Sequence, residues 1–238
     1  KYPTKQSVYR ELINLNAIMN LPKGTEHFMS DLHGEYDAFY HIINNCSGVI
    51  REKVAMLYGD ELTVYEQQEL CTLIYYPREK LSILMDENKV NDEWYRNVLN
   101  QLIQIAKLLS SKYTRSKVRK AMPVDFAYII DELIHAQKDE DDNRSVYHRQ
   151  IMETILSLHN GDEFLVALTD LIKRLAVDHL HILGDIYDRG AHADKILDLL
   201  MEHHSVDIQW GNHDILWMGA FCGNPVCMAL VVRNNIKY

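Results

Sequence analysis

The stretch HILGDIYDRGAH, residues 181–192, decides the fold because a short apolar run ends there in a cluster of charge. The run DHLHIL (178–183) has the pattern of a β-strand, and Asp185, Asp188 and Arg189 follow it closely. A helical spacing of apolar residues comes next. Strand, polar loop and helix in this order predict a βα unit, with the charged loop at the carboxyl end of the strand, where α/β proteins bind ligands.

A second unit of this kind lies near the start of the chain. The short apolar stretch EHFMS (26–30) predicts a strand that runs into a loop with Asp31 and His33. The segment YDAFYHIINNC (36–46) then has the spacing of a helix. These residues therefore predict strand, polar loop and helix once more.

A third unit follows the opening stretch. The segment SVDIQW (205–210) predicts a strand, and the loop GNHD after it holds Asn212, His213 and Asp214. A further helical pattern begins at the next residue. Because the carboxyl ends of parallel strands meet at one edge of a sheet, we expect the three loops to share one site.

The chain between the first two units is helical in texture. From about residue 51 to about residue 174 we predict five or more amphipathic helices, interrupted by the loop KDEDDNRS (138–145). In the helix predicted at residues 92–111, five side chains fall on one apolar face: Trp94, Val98, Leu102, Ile105 and Leu109. We therefore predict an α/β protein whose core, residues 1–50 and 175–238, is split by an all-helical insertion, residues 51–174.

The overall composition limits the partners and the compartment. The formal net charge is −9, which argues against a broad nucleic-acid or anionic-membrane surface. No apolar run approaches the roughly 20 residues that span a bilayer, and the N-terminal residues lack the apolar centre of a signal peptide. The four cysteines form no CxxC pair, so we expect reduced thiols and a cytoplasmic protein.

The three predicted loops carry the donor types of a divalent-metal site. Carboxylate and imidazole together suit Mn, Fe, Zn or Mg. Asp31 and His33 are two positions apart, so in extended backbone their side chains project to the same side. Asp185 has two oxygens and can bridge two ions, and two ions roughly 3.5–4 Å apart can clamp a phosphoryl group and generate hydroxide.

Three further side chains suit the chemistry of phosphate transfer. His213 can protonate a leaving alkoxide if a carboxylate such as Asp188 orients its other nitrogen. Arg189 can hold phosphate oxygens in a bidentate fork. Each motif alone has a simpler reading, as a strand end, a turn or a surface ion pair. Three motifs that each follow a predicted strand favour a shared site.

The order of the motifs resembles that of the calcineurin-like metallophosphoesterases. Their pattern is D-x-H, then G-D-x-x-D-R-G, then G-N-H-[DE], and this chain has DLH, GDIYDRG and GNHD. The middle motif most resembles the phosphoprotein-phosphatase branch. The N-terminal stretch (2–50) and the gap of about 150 residues between the first two motifs resemble the class III fructose-1,6-bisphosphatases of bacteria.

This resemblance implies a metallophosphoesterase core and a reaction. The reaction is hydrolysis of fructose 1,6-bisphosphate to fructose 6-phosphate and phosphate in gluconeogenesis, by a two-metal-activated hydroxide with Mn²⁺. The implied roles are Asp31, His33 and Asp185 on the first ion, Asp185 and Asn212 on the second, His213 as general acid with Asp188 behind it, and Arg189 on phosphate. A sugar bisphosphate is the implied partner, and a homo-oligomer is compatible with the sequence.

One departure from the family pattern shapes the expectation for this chain. The family's second ion also takes two histidines beyond GNHD, whereas this sequence has no histidine after His213. We therefore expect an N-terminal portion of a longer enzyme, with an incomplete core and a second metal site that lacks ligands. Two alternatives stay open: a phosphatase for phosphoproteins or dinucleotide polyphosphates, and a metal-free inactive fragment or scaffold.

Overall fold

The computed structural model describes residues 2–136 and 142–237. These residues form two compact units, one of residues 25–83 and 176–237 and the other of residues 2–24 and 84–175. The first unit contains every strand found in the described residues, and it is called the sheet unit below; the second is the helical unit. All candidate site residues lie in the sheet unit.

The described residues form thirteen α-helices, several of which end where the sequence places proline or glycine. In chain order they are α1 (Lys5–Ile18), α2 (Tyr36–Asn45), α3 (Val49–Tyr58), α4 (Val64–Tyr75), α5 (Pro77–Asp86), α6 (Asp92–Ser110), α7 (Arg115–Ala121), α8 (Ala127–Ile134), α9 (Asp142–Ser157), α10 (Gly161–Ala176), α11 (Ala193–Glu202), α12 (Asn212–Phe221) and α13 (Pro225–Lys237).

The sheet of the sheet unit has three parallel strands. They are β1 (Glu26–Met29), β2 (His179–Ile182) and β3 (Val206–Ile208), in the order β1-β2-β3. The three predicted strands are therefore confirmed, and their carboxyl ends meet at one edge, called the carboxyl edge below. This arrangement establishes a mixed α/β fold with a small parallel sheet.

One face of this sheet packs on helices. Leu180 and Ile182 of β2 are buried, because alternate residues of a strand point to the same face. They share a core with Phe39 of α2 and with Ile196 and Leu200 of α11. The helices that follow the first two polar loops are thus held against the strands that precede them, which fixes both loops at the carboxyl edge.

The helical unit contains the amphipathic helix predicted at residues 92–111. The Asn91 side chain accepts a hydrogen bond from the backbone of Trp94 (2.8 Å), which caps the start of α6. Four of the five apolar side chains predicted on one face are buried: Val98, Leu102, Ile105 and Leu109. The helix predicted from the spacing of apolar residues is therefore confirmed.

The predicted loop at residues 138–145 is wrong in its second half. Helix α9 begins at Asp142, so residues 142–145 are helical, while residues 138–141 lie outside the described residues. The reason is that the Asp and Asn residues of this stretch suit the first turn of a helix as well as a loop.

The sheet unit also takes in helices that sequence texture grouped with the insertion. Both α3 and α4 belong to it, so a run of predicted helices does not by itself mark the boundary of the sheet unit. The predicted domain boundaries at residues 50 and 174 stay predictions. None of the four cysteines, all of which lie in the described residues, forms a disulfide bond. Within the described residues, none of the helices combines the length and the apolar character that crossing a bilayer requires.

Candidate metal centre

The first two polar loops are joined by their backbones beyond the ends of the strands. The N–H of Asp31 donates to the carbonyl of Gly184 (3.2 Å), and the N–H of His33 donates to the carbonyl of Asp185 (2.8 Å). The β1–β2 pairing thus continues into the loops as a run of backbone hydrogen bonds. This continuation sets the side chains of the two loops beside each other.

Three donor side chains meet where these loops run together. One donor atom from each of Asp31, His33 and Asp185 lies within 4.8 Å of the other two, and His33 Nε2 is 3.7 Å from Asp31 Oδ1. The Asp31 side chain is 64% exposed and that of His33 21% exposed, so the group is open to solvent on one side. Two carboxylates and one imidazole form a donor set that fits a divalent ion such as Mn²⁺.

The backbone at all three donor residues is in the left-handed region, so the extended backbone predicted at Asp31 and His33 is wrong. The φ angles are 56° at Asp31, 49° at His33 and 55° at Asp185. Such a conformation costs a non-glycine residue about 1–3 kcal/mol and persists only where surrounding contacts enforce it. Strain at three converging ligand-type residues supports a functional site at the carboxyl edge.

Two pairs of glycines allow the loops to approach this closely. Gly34 (φ +73°) faces the backbone of Gly190, and Gly184 (φ +100°) faces the backbone of Gly211. A Cβ atom at Gly34 or Gly184 would overlap the facing main chain. These positions therefore require glycine for both conformation and space.

We expect Gly34→Ala to destabilise the sheet unit by about 2–4 kcal/mol, from left-handed strain and overlap with Gly190. The matched control is Gly48→Ala, because Gly48 also has a positive φ (+87°) but a Cβ there meets nothing within 4 Å. Urea denaturation of both variants measures the difference. Equal losses of stability would show that the close approach of Gly34 and Gly190 has no energetic weight.

Asp214 organises the second and third motifs through the backbone. Its carboxylate is fully buried. Oδ2 accepts from the N–H groups of Asp185 and Gly211 (both 2.8 Å), and Oδ1 accepts from those of Ile186 (2.9 Å) and Tyr187 (3.0 Å). Four hydrogen bonds occupy this carboxylate, so Asp214 holds the Asp185 loop in place and is not a ligand.

The GNHD motif is not the loop that the sequence predicted. Asn212, His213 and Asp214 form the first turn of α12. The cause is the hydrogen bond from Gly211 N–H to Asp214, which caps this helix start. The sequence pattern placed Asp214 among the ligand-type residues. One signal indicated its capping role: Asp214 is an acidic residue three positions after Gly211, just before an apolar helical pattern.

His213 sits beside the donor group and pairs with a carboxylate. Its Nδ1 is 3.3 Å from Oδ1 of Asp188, whose side chain is only 7% exposed. Its backbone N–H donates to Asp185 Oδ1 (3.1 Å), and its ring lies edge-on to that of His33 with centroids 6.0 Å apart. A buried carboxylate thus orients one ring nitrogen of a histidine next to the donor group.

The remaining two predicted site residues lie at the periphery. Arg189 donates from Nε to Oδ2 of Asp188 (3.1 Å), and its side chain is 53% exposed. Asn212 is exposed at the first position of α12. Asp188 therefore contacts both His213 and Arg189, while the roles of Arg189 on phosphate and Asn212 on a metal stay predictions.

An aromatic pair that sequence reasoning missed packs α12 against the Asp185 loop. The rings of Tyr187 and Trp217 are stacked with centroids 4.9 Å apart. Burial and the nearby charge of Asp214 raise the pKa of Tyr187, so its hydroxyl stays neutral at physiological pH. The pair supports the position of His213 through packing.

The fold and the donor group together define an α/β protein with a candidate metal site at the carboxyl edge of a parallel sheet. A family model described as Firmicute fructose-1,6-bisphosphatase matches residues 1–238. The chain belongs to that family.

Curated relatives agree with the family. The chain is 56% identical over 238 residues to a fructose-1,6-bisphosphatase class 3 of Clostridium beijerinckii, and 54% identical over 238 residues to one of Listeria innocua. It is 52% identical over 237 residues to one of Bacteroides fragilis. Each comparison covers 100% of this chain but 36% of the relative, so the chain spans about a third of the length of these proteins. No solved structure matches it.

Proposed function

We propose that the chain supplies the first metal site and the general acid of a metallophosphoesterase that hydrolyses fructose 1,6-bisphosphate to fructose 6-phosphate and phosphate. The observation that carries this proposal is the convergence of Asp31, His33 and Asp185 next to the His213–Asp188 pair. The names of the relatives supply the substrate. Gluconeogenesis is the pathway that fits this reaction.

The donor group fits a divalent ion, for which we propose Mn²⁺. When bound, such ions stabilise charge on phosphoryl oxygens. They also lower the pKa of bound water, so that hydroxide is available at neutral pH. Asp31, His33 and Asp185 would hold the first ion. Asp185 and Asn212 would contribute to a second, for which two donors are too few on their own.

His213 has the position of a general acid in this proposal. Asp188 holds Nδ1, which leaves Nε2 to give a proton to the sugar oxygen as the bond to phosphorus breaks. The buried Asp188 orients the ring for this transfer. Arg189, exposed beside Asp188, would bind phosphate oxygens through its terminal nitrogens.

We expect His213→Ala to lower turnover by about 10²–10⁴-fold, because that is the usual contribution of a positioned proton donor. Mn²⁺ content should change little, since His213 is not one of the three clustered donors. Steady-state kinetics and metal analysis of the same preparation measure both quantities. A loss of metal equal to the loss in Asp185→Asn would overturn the general-acid role.

The substrate is tested by phosphate release in the protein that carries this chain, with Mn²⁺ present. We expect fructose 1,6-bisphosphate to be hydrolysed in preference to a phosphopeptide and a dinucleotide polyphosphate at equal concentration. Preference for the phosphopeptide or for the dinucleotide polyphosphate would show that the substrate is of that class and not a sugar bisphosphate. Absence of metal uptake and of all three activities would support an inert scaffold.

A cytoplasmic location remains part of the proposal. It is supported by the four cysteines, none of which forms a disulfide bond; Cys46 and Cys71 are buried. A homo-oligomeric state likewise stays a prediction, which sedimentation analysis can test.

A further inference from the structure

The sheet has a second chemically distinctive face, opposite the one that packs on α2 and α11. Strand alternation places His179 and His181 of β2 on this face, between Leu180 and Ile182 of the apolar face. The β2–β3 register sets Asp207 opposite His181. Two imidazoles and a carboxylate thus converge on adjacent strands, away from the carboxyl-edge donors.

The three side chains approach one another as metal ligands do. His179 Nε2 is 2.8 Å and His181 Nδ1 is 3.5 Å from the same oxygen of Asp207, Oδ2. The donor atoms of all three residues lie within 4.8 Å of one another. Two ligands at usual zinc distances in a tetrahedral site are about 3.3 Å apart, so only small side-chain adjustments would complete the geometry.

Neighbouring groups orient both rings toward Asp207. Nδ1 of His179 is hydrogen-bonded to Oγ of Ser205 (2.6 Å), which fixes the ring with Nε2 toward the carboxylate. His181 stacks on Phe28 with ring centroids 4.4 Å apart. Histidines that bind a metal through one ring nitrogen usually form a hydrogen bond through the other, as Nδ1 of His179 does with Ser205.

Two carboxylates, Glu26 and Asp207, lie beside the ring of His181. His181 Nε2 is buried, makes no hydrogen bond within the described residues, and lies 3.8 Å from Oε2 of Glu26. Glu26 and Asp207 together would balance a dication.

We propose that His179, His181 and Asp207 bind one divalent transition-metal ion of the zinc type, at a site separate from Asp31, His33 and Asp185. Two imidazoles and one carboxylate are a common set for zinc. The Asp207 side chain is 69% exposed, so water completes the coordination. Because the ligands come from both β2 and β3, the ion fastens the two strands together and stabilises the sheet unit.

The test uses Co²⁺ as a visible probe in an Asp185→Asn background, where the carboxyl-edge centre is disabled. We expect one Co²⁺ per chain with the absorption of a nitrogen- and oxygen-ligated four-coordinate ion, and Zn²⁺ should displace it. Adding His179→Gln or His181→Gln should weaken Co²⁺ binding by at least about tenfold. The control His192→Gln, an exposed histidine outside the cluster, should bind as the background does.

A second measurement separates ligation from misfolding. Zn²⁺ should raise the melting temperature of Asp185→Asn and of Asp185→Asn/His192→Gln, but not that of Asp185→Asn/His179→Gln/His181→Gln. Circular dichroism of all variants establishes that each is folded. The proposal is overturned if folded Asp185→Asn protein binds no Co²⁺, or if His179→Gln and His181→Gln bind it as tightly as the control.

Discussion

Asp185→Asn lowers phosphate release by about a thousandfold or more, and it releases Mn²⁺ from the carboxyl edge. The expectation follows because Asp185 belongs to the first donor group and is the one carboxylate proposed to join both ions. Loss of several kcal/mol of metal-derived charge stabilisation corresponds to about a thousandfold in rate. Kinetics and metal analysis of the protein that carries this chain measure the two effects.

Asparagine is the informative replacement at this position. It tolerates the left-handed backbone (φ 55°) and keeps an oxygen that can accept from the N–H of His213, so the fold is preserved while the charge is lost. The matched control is Asp198→Asn, an exposed carboxylate on α11, which should retain full activity. Unchanged Mn²⁺ content in Asp185→Asn would show that the ion binds elsewhere.

Asp214→Ala destabilises the sheet unit by at least about 3 kcal/mol and disorders the Asp185 loop. Removal of the carboxylate leaves four backbone N–H groups without their acceptor, and each buried unpaired donor costs about 1–3 kcal/mol. Urea denaturation gives the change in the free energy of unfolding. Hydrogen exchange at Asp185, Ile186 and Tyr187 reports the loop directly.

Asp214→Asn refines this prediction. An amide has one oxygen in place of two, so it can keep at most the two hydrogen bonds accepted by one carboxylate oxygen. Its NH₂ group then faces the other two N–H donors. Its loss of stability should therefore be substantial but smaller than that of Asp214→Ala. Asp214 variants with normal stability and normal exchange protection of the loop would refute the organising role assigned to this carboxylate.

The features that the sequence predicted correctly depend on local patterns. The strands at 26–29 and 179–182 follow from short apolar runs before polar loops, and α6 follows from the spacing of Val98, Leu102 and Ile105. The clustering of Asp31, His33 and Asp185 was predictable for the same reason: parallel strands bring their carboxyl ends to one edge.

Other features depend on contacts between residues far apart in the chain. Asp214 bonds to backbone groups 27–29 positions away, and a sequence pattern does not contain such partners. The left-handed backbone at Asp31 and Asp185 follows from the close packing of two loops. The cluster of His179, His181 and Asp207 needs the β2–β3 register, which alternation within one strand does not specify.

The most direct test of the shared metal site is anomalous diffraction at the manganese edge, from crystals of the protein that carries this chain grown with Mn²⁺. We expect a peak within coordination distance of Asp31, His33 and Asp185, which disappears in Asp185→Asn. A protein that hydrolyses fructose 1,6-bisphosphate with manganese bound away from these three side chains would contradict it.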